Sequence, residues 1–150
     1  MDLGLQGRRA AVAAASAGLG LASAVALAAE GARVVICGRD RARLDEAAAR
    51  VGHGCGAVVQ DVADAAGGAA FVAAATEVLG GLDIVVANAG GPPPGTFAST
   101  PLEAYEPALD LNLLSVVGMA KAAIPAMQRQ RWGRFVAITS VSVRQPIPTI

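Results

Sequence analysis

Short apolar runs alternate along the chain with longer stretches in which apolar residues recur at helical spacing. Five runs predict β-strands at 8–15, 32–38, 56–62, 82–90 and 133–140. Four helices are predicted between them, at 18–30, 41–51, 64–81 and 101–131. The second strand, ARVVICG, is apolar on both faces, which is typical of a strand covered on both sides in a parallel sheet. The alternation predicts right-handed βαβ units in one α/β domain over 1–150, a doubly wound, Rossmann-type parallel sheet with strand order 3-2-1-4-5.

Polar residues and glycines mark the expected helix ends. Asp40 is placed to cap the second helix and Asp64 to open the third. Gly31 is expected to end the first helix. The pair Gly67-Gly68 is expected to weaken the third.

The predicted helix at 101–131 carries apolar residues on more than one side. Lys121 and Pro125 interrupt its apolar run and favour a buried helix over a membrane span. A helix that is apolar nearly all round is covered on several sides. We expect one side to face the sheet and another to face a second subunit of a homodimer or homotetramer, or further residues of the same protein. One stripe comprises Leu109, Leu113, Val116, Ala120, Ile124 and Met127, and Leu111, Leu114 and Val117 lie off it.

Composition and charge narrow the function classes. Hydrophobic residues make up 54% of the chain and charged residues 16%, which fits a folded domain. The 12 basic and 12 acidic residues balance, so we expect no nucleic-acid partner. Cys37 and Cys55 are too isolated for a disulfide framework, and His53 beside Cys55 supplies two of the four ligands that zinc needs. We therefore predict no metal site and a reducing, cytoplasmic location.

The uncharged run at 10–29 admits a second interpretation. It follows Arg8-Arg9 and has the length of an export signal or membrane segment. Its abundant Ala, Gly and Ser insert weakly into membranes, and Gly18 and Gly20 lie where a signal core should be helical. The strand–helix register favours the alternative, in which the two glycines form the turn between the first strand and the first helix.

That turn is the expected ligand site. In doubly wound sheets, ligands bind beyond the carboxyl ends of the strands. Glycines there let the backbone approach a pyrophosphate, and the helix N-terminus offers N–H groups and a positive dipole end. Gly18 and Gly20 thus indicate a dinucleotide site.

The motifs together resemble the N-terminal part of a short-chain dehydrogenase/reductase. The turn of that family reads T-G-x-x-x-G-x-G, and here Ala13 and Ala14 precede Gly18 and Gly20. Alanine at position 14 makes a positive φ costly, so the turn is expected to close with weaker phosphate contact. The run SVSVRQPIP resembles the 3-oxoacyl-acyl-carrier-protein reductase-like branch. The other matches follow in family order: Asp61-Val62, Asn88-Ala89-Gly90, Asn112 and Ser140.

The resemblance implies a nicotinamide dinucleotide, and Arg39 favours NADP over NAD. An acid usually holds the ribose hydroxyls at the end of the second strand, whereas an arginine suits a 2′-phosphate. NADP-preferring members often carry a second basic residue where this chain has Ala17, which weakens the preference. Alternatively, Arg39 is only a solvated loop residue. The same charge pattern argues against FMN in a flavodoxin-like site. The expected cofactor residues are Ala14, Ser16, Gly18, Leu19, Gly20, Arg39, Asp61, Val62, Asn88, Ala89 and Gly90. By resemblance, Asp61 accepts from the adenine amino group, Val62 packs on its ring and Asn88 ties the central strands together.

The resemblance also implies hydride transfer between NADPH and a small carbonyl compound or secondary alcohol, with a 3-oxoacyl thioester as one candidate. Ser140 matches the serine that binds the substrate carbonyl, and Asn112 matches the asparagine of the proton relay. Ser142 would face the same side of an extended strand and is an alternative to Ser140.

The tyrosine and lysine of the family are not matched in this chain. Tyr105 and Lys121 are misplaced, so a Tyr-x-x-x-Lys segment is expected after Ile150. The chain is therefore interpreted as part of an NADP-dependent enzyme or, alternatively, as a non-catalytic nucleotide-binding or dimerising module. The proline-rich loop GGPPPGTFAST is either a wall of the substrate site or a stiff connector.

Overall fold

Five parallel strands form a single sheet in the order β3-β2-β1-β4-β5. The structure is a computed structural model, which describes residues 2–145 and 147. It confirms the predicted doubly wound architecture and strand order. The strands are β1 (Arg9–Val12), β2 (Arg33–Gly38), β3 (Gly56–Val59), β4 (Ile84–Ala87) and β5 (Arg134–Ala137). The helices are α1 (Gly18–Ala29), α2 (Arg41–Val51), α3 (Ala65–Leu79), α4 (Tyr105–Leu109) and α5 (Ser115–Arg129).

The strands end earlier than the apolar pattern predicts. The first strand was expected to reach Ala15 and the fourth to reach Gly90, but regular pairing ends at Val12 and Ala87. Single hydrogen bonds continue, as from the Ala13 N–H to the Val86 carbonyl at 3.0 Å. Past β1 the apolar pattern persists because Ala13 and Ala15 are also buried, whereas Asn88, Ala89 and Gly90 after β4 are partly or fully exposed.

The sheet separates two apolar layers, one under α3 and α5 and the other under α1 and α2. Successive strand side chains point to opposite faces. Ala11 of β1 therefore joins the layer that contains Phe71 and Met119, whereas Val12 joins the layer that contains Leu44. The alanines of β1 are fully buried, and their small size lets helices approach the central strand closely on both faces.

The predicted helix caps are confirmed. The Asp40 carboxylate accepts a hydrogen bond from the Arg43 N–H at 2.9 Å, and Asp64 accepts one from the Gly67 N–H at 2.7 Å. Each bond satisfies an amide that the first helical turn leaves without a partner. Gly31 follows the end of α1 with φ of 82°.

The third helix forms despite the two glycines that are expected to weaken it, and tertiary packing uses Gly68. Helix α3 runs without interruption across Gly67 and Gly68. A Cβ on Gly68 would lie 2.5 Å from the Ser115 carbonyl oxygen, and a Cβ on Gly118 would overlap the Ala65 carbonyl oxygen. Gly68 and Gly118 allow close contact between α3 and α5, which compensates for the low helix propensity of glycine.

The long predicted helix is segmented and covered on one side. It begins with a 3₁₀ turn at Leu102–Ala104 and contains a π-helical segment at Asp110–Leu114, between α4 and α5. By length and composition, Leu102–Arg129 as a whole could cross a membrane, a test that core helices of soluble proteins also pass. In the described chain, its buried face consists of Ser115, Gly118, Met119, Ala123 and Met127.

The sequence predicts that a second side of this helix is also covered, but none of the described residues covers it. Leu109 and Leu113 of the predicted stripe are 55% and 53% exposed. Periodicity marks which residues share a side of a helix, but it does not say what covers that side.

Candidate functional site

The turn between β1 and α1 has the backbone shape of a phosphate-binding loop. Ala14 adopts φ of 47° and Gly18 φ of 59°, both in the left-handed region. The positive φ that was expected to be costly at Ala14 is therefore present. A Cβ on Gly20 would lie 2.8 Å from the Ala14 carbonyl oxygen and 2.9 Å from Asn88 Nδ2. Only glycine fits at position 20, because α1 begins in contact with the strand it follows.

The first amides of α1 point out of the helix without internal acceptors. Ala17 precedes the helix in an extended conformation and provides no side-chain cap. Leu21 is the first residue whose N–H bonds back along the helix, to the Ala17 carbonyl at 3.2 Å. Within residues 2–145 and 147, the N–H groups of Gly18, Leu19 and Gly20 have no hydrogen-bond acceptor. Such amides at the positive end of a helix dipole form an anion site.

Asn88 joins this turn to the neighbouring strand. Its Nδ2 donates to the carbonyl oxygens of Ala13 and Ala14, at 3.2 and 3.1 Å. The asparagine follows β4, so the amide connects the carboxyl ends of β1 and β4. This geometry agrees with the tie expected from the resemblance, while contact of Asn88 with a cofactor stays a prediction.

A cleft of about 1000 Å³ lies over the carboxyl ends of the strands. This volume suits a large cofactor. The segment 103–111 forms the opposite wall and contributes Glu103, Glu106 and Asp110. Gly20 lies beneath the cleft, in the helix–strand contact. The other ten predicted cofactor residues line the cleft: Ala14, Ser16, Gly18, Leu19, Arg39, Asp61, Val62, Asn88, Ala89 and Gly90.

The end of β2 forms the basic part of this cleft. Arg39 is exposed, and both it and Gly38 before it line the cleft. Arg43 also lines the cleft and was missed in the sequence. A signal for it exists: Arg41 and Arg43 occupy the first turn of α2, where a cation opposes the helix dipole.

The carboxyl end of β3 supplies Asp61 and Val62. Asp61 is exposed in the cleft, whereas Val62 is 5% exposed and packs in the layer under α3 and α5. Val62 thus offers little surface to an adenine ring, because its side chain is largely used in the core. Both cofactor roles stay predictions.

The two predicted catalytic residues do not line this cleft. Asn112 lies in the π-helical segment, and its Nδ2 donates to the Ala108 carbonyl at 3.0 Å. Ser140 caps a 3₁₀ turn at Val141–Val143, and its Oγ lies 2.7 Å from Ser142 Oγ. The expectation that Ser142 continues an extended strand is wrong, because the chain turns after Ser140. Pro146 and Pro148 of the run SVSVRQPIP lie outside the described residues.

Both cysteines are free thiols that lie at least partly inside the protein. Burial raises the pKa of the Cys37 thiol to about 12 and that of Cys55 to about 11, so both are neutral at pH 7. Among the described residues, no group of three or more His, Cys, Asp or Glu side chains could hold a metal ion.

Comparison with known proteins agrees with this geometry. The family model of the short chain dehydrogenases matches residues 8–150. A galactitol 2-dehydrogenase of Agrobacterium fabrum is 39% identical over 137 residues, which are 87% of this chain and 52% of that protein. A protein of Streptomyces violaceoruber, provisionally named granaticin polyketide synthase ketoacyl reductase 1, is 38% identical over 138 residues, 89% of this chain and 51% of that protein.

A solved structure shows the same fold. A protein described as a short chain dehydrogenase/reductase family protein superposes with a TM-score of 0.88 at 34% identity, over 99% of this chain and 61% of that chain. The present chain spans about half the length of the curated relatives it matches. With its parallel sheet, its glycine turn and a family match over nearly its whole length, the chain belongs to the short-chain dehydrogenase/reductase family.

Proposed function

We propose that this chain forms the cofactor-binding part of an NADP-dependent oxidoreductase. The observation that carries the proposal is the set of N–H groups at Gly18–Gly20, which head α1 in a cleft that also contains Arg39. The amides would hold the diphosphate, because the helix dipole favours an anion there. Members of this family use NAD or NADP, and the shape and donors of the cleft fit such a dinucleotide.

Arg39 and Arg43 support NADP over NAD. Both residues line the cleft beyond the carboxyl end of β2, where a 2′-phosphate would lie. The nearest acid in sequence, Asp40, already uses its carboxylate to cap α2 through the Arg43 N–H. It is therefore poorly placed to accept from the ribose hydroxyls, as an acid does in NAD-binding sites.

The bound nicotinamide would supply or accept a hydride at a substrate carbon. Ser140 would bind the substrate oxygen and Asn112 would hold a water near the site. The substrate is proposed to be a carbonyl compound or secondary alcohol, with a 3-oxoacyl thioester as a specific candidate. Relatives named as a dehydrogenase and a ketoacyl reductase favour an oxidoreductase over the non-catalytic module.

We also propose that the exposed apolar side of the 102–129 helix pairs with a second subunit. Leu109, Leu113 and Leu114 are 55%, 53% and 42% exposed, and neighbouring exposed apolar residues of this kind are typical of an interaction surface. Sedimentation of the purified full-length protein would distinguish a dimer or tetramer from a monomer. The cytoplasmic location stays a prediction.

Titration with nucleotides tests the central proposal. We expect NADPH to bind with at least about tenfold higher affinity than NADH, followed through nicotinamide fluorescence. Arg39→Ala should remove most of this difference by weakening NADPH alone. Arg129→Ala, which removes an exposed cation in the last turn of α5 away from the cleft, is the matched control and should leave both affinities unchanged. Equal binding of the two nucleotides would exclude the NADP preference, and binding of neither would exclude the cofactor site.

A further inference from the structure

Ala14 has a conformation that its side chain disfavours. Its φ of 47° lies in the left-handed region, where the Cβ approaches the neighbouring carbonyl oxygen. The following residues of the turn form the anion site at Gly18–Gly20. The backbone at Ala14 must be held in this strained shape, because relaxation there would move the amides that head α1.

Two side chains hold Ala14, one on each of its backbone polar groups. The Ala14 N–H donates to Cys37 Sγ at 3.4 Å, and the Ala14 carbonyl accepts from Asn88 Nδ2 at 3.1 Å. Cys37 comes from β2 and Asn88 follows β4, so the strands on either side of β1 both reach the turn. The Cys37 carbonyl also accepts from the Ala15 N–H, at 2.9 Å.

The sulfur of Cys37 is itself fixed and shielded. The residue is fully buried and packs in the layer with Ala13, Val35 and Ala87. Ala14 is partly buried at the edge of the cleft, and this sulfur is the acceptor that its N–H finds within the described protein, so removing it costs the amide a hydrogen bond. A thiol also suits the separation, since sulfur accepts hydrogen bonds at longer distances than oxygen does.

We propose that Cys37 is a positioning residue of the cofactor site, whose Sγ, together with Asn88, holds Ala14 in the left-handed conformation that aims the amides of Gly18–Gly20 at the diphosphate. The expected effect of Cys37 on nucleotide affinity rests on the proposed function, whereas its hydrogen bond with the Ala14 amide does not. Cys37 is not among the residues that line the cleft and would act through the turn alone.

Hydrogen exchange of individual amides, measured by NMR on the protein without nucleotide, tests the contact directly. In Cys37→Ala, the Ala14 amide should exchange about fivefold faster, the equivalent of one lost hydrogen bond. The Ala15 amide, which bonds to the Cys37 backbone carbonyl, should keep its rate. Cys37→Ser keeps an acceptor on a shorter side chain and should restore only part of the protection, and Cys55→Ala is the matched control. An unchanged Ala14 rate, or equal acceleration at Ala14 and Ala15, would overturn the proposal.

The effect on nucleotide binding is tested by coupling Cys37 to Ala14. Ala14→Gly removes the disfavoured Cβ, so the turn should need the sulfur less. We expect Cys37→Ala to weaken NADPH binding about fivefold in the natural chain and less than twofold in the Ala14→Gly background. Equal losses in both backgrounds would contradict positioning through Ala14. If the natural chain binds no NADPH, the proposed function fails, and the exchange rates still decide the role of Cys37.

Discussion

Arg9 and Asp83 form a two-pronged ion pair across the amino ends of β1 and β4. The Nε and Nη2 atoms of Arg9 donate to the two carboxylate oxygens of Asp83 at 2.9 and 2.8 Å. The Arg9 backbone N–H donates to the same carboxylate at 3.0 Å, and Gln130 Nε2 approaches it at 3.3 Å. The pair lies at the end of the sheet opposite to the cleft. It therefore stabilises the fold without taking part in the site.

Replacing Asp83 should destabilise the protein in a pH-dependent way. Asp83→Asn is expected to lower the free energy of unfolding by about 2 kcal/mol at pH 7, a value reduced for the partial exposure of Arg9. The hydrogen bond from Arg9 lowers the pKa of the Asp83 carboxyl. Its stabilisation is thus complete above the unfolded pKa of about 4 and is lost as the pH falls through the lower folded value.

Urea unfolding of the natural protein and of Asp83→Asn, measured between pH 7 and pH 2, tests this effect. The difference between them should shrink as the pH falls below about 4. Asp45→Asn is the control, because its pair with Arg41 is exposed on both sides and should contribute less than about 0.5 kcal/mol. Equal losses in the two variants would contradict the special role of Asp83.

The two glycines of the phosphate turn should respond differently to alanine. Gly20→Ala places a Cβ against Asn88 and the Ala14 carbonyl, so we expect a loss of about 2 kcal/mol in stability and a large loss of nucleotide affinity. In Gly18→Ala the new Cβ points into open space, so only the positive φ at this position is unfavourable, and we expect stability to fall by about 1 kcal/mol. Chemical denaturation and NADPH titration of both variants provide the comparison. A greater loss of stability in Gly18→Ala would show that the contact at Gly20 is misplaced.

Arg43 should serve nucleotide binding at the expense of helix stability. Arg43→Gln is expected to weaken NADPH binding about fivefold and to leave NADH binding unchanged. The same change removes a cation from the first turn of α2 and should stabilise the fold by about 0.3 kcal/mol or more. Arg129→Gln, which removes an exposed cation from the last turn of α5, should affect stability in the opposite direction and leave both affinities unchanged. Fluorescence titration and thermal melting measure the two effects separately.

The contact between α3 and α5 should tolerate no added side chain. Gly118→Ala would overlap the Ala65 carbonyl, and we expect it to lower stability by about 2 kcal/mol. Ala122→Ser, at an exposed position of the same helix, is the control and should change stability by less than about 0.5 kcal/mol. A neutral Gly118→Ala variant would mean that the two helices can separate without loss.

The periodicity of the chain and its local signals predicted the elements of the fold. The caps at Asp40 and Asp64 bind amides three residues ahead, so the sequence contains both partners of each interaction. Gly18 and Gly20 were recognisable for the same reason, since they follow a strand and open a helix. The end of the first strand was predicted too late, because hydrophobicity reports burial and Ala13 and Ala15 are still buried past the paired residues.

The sequence by itself therefore determined the fold class, the order of strands and helices and the place of the phosphate turn, because these depend on short-range spacing and on the physics of parallel sheets. Only the tertiary structure decided how Ala14 is held, since Cys37 and Asn88 lie 23 and 74 residues away from it. It likewise decided that Gly67 and Gly68 continue a helix, that Arg43 joins Arg39 in the cleft and that the leucines of the long helix remain exposed. Each of these depends on which distant surfaces meet, and a linear pattern does not contain that information.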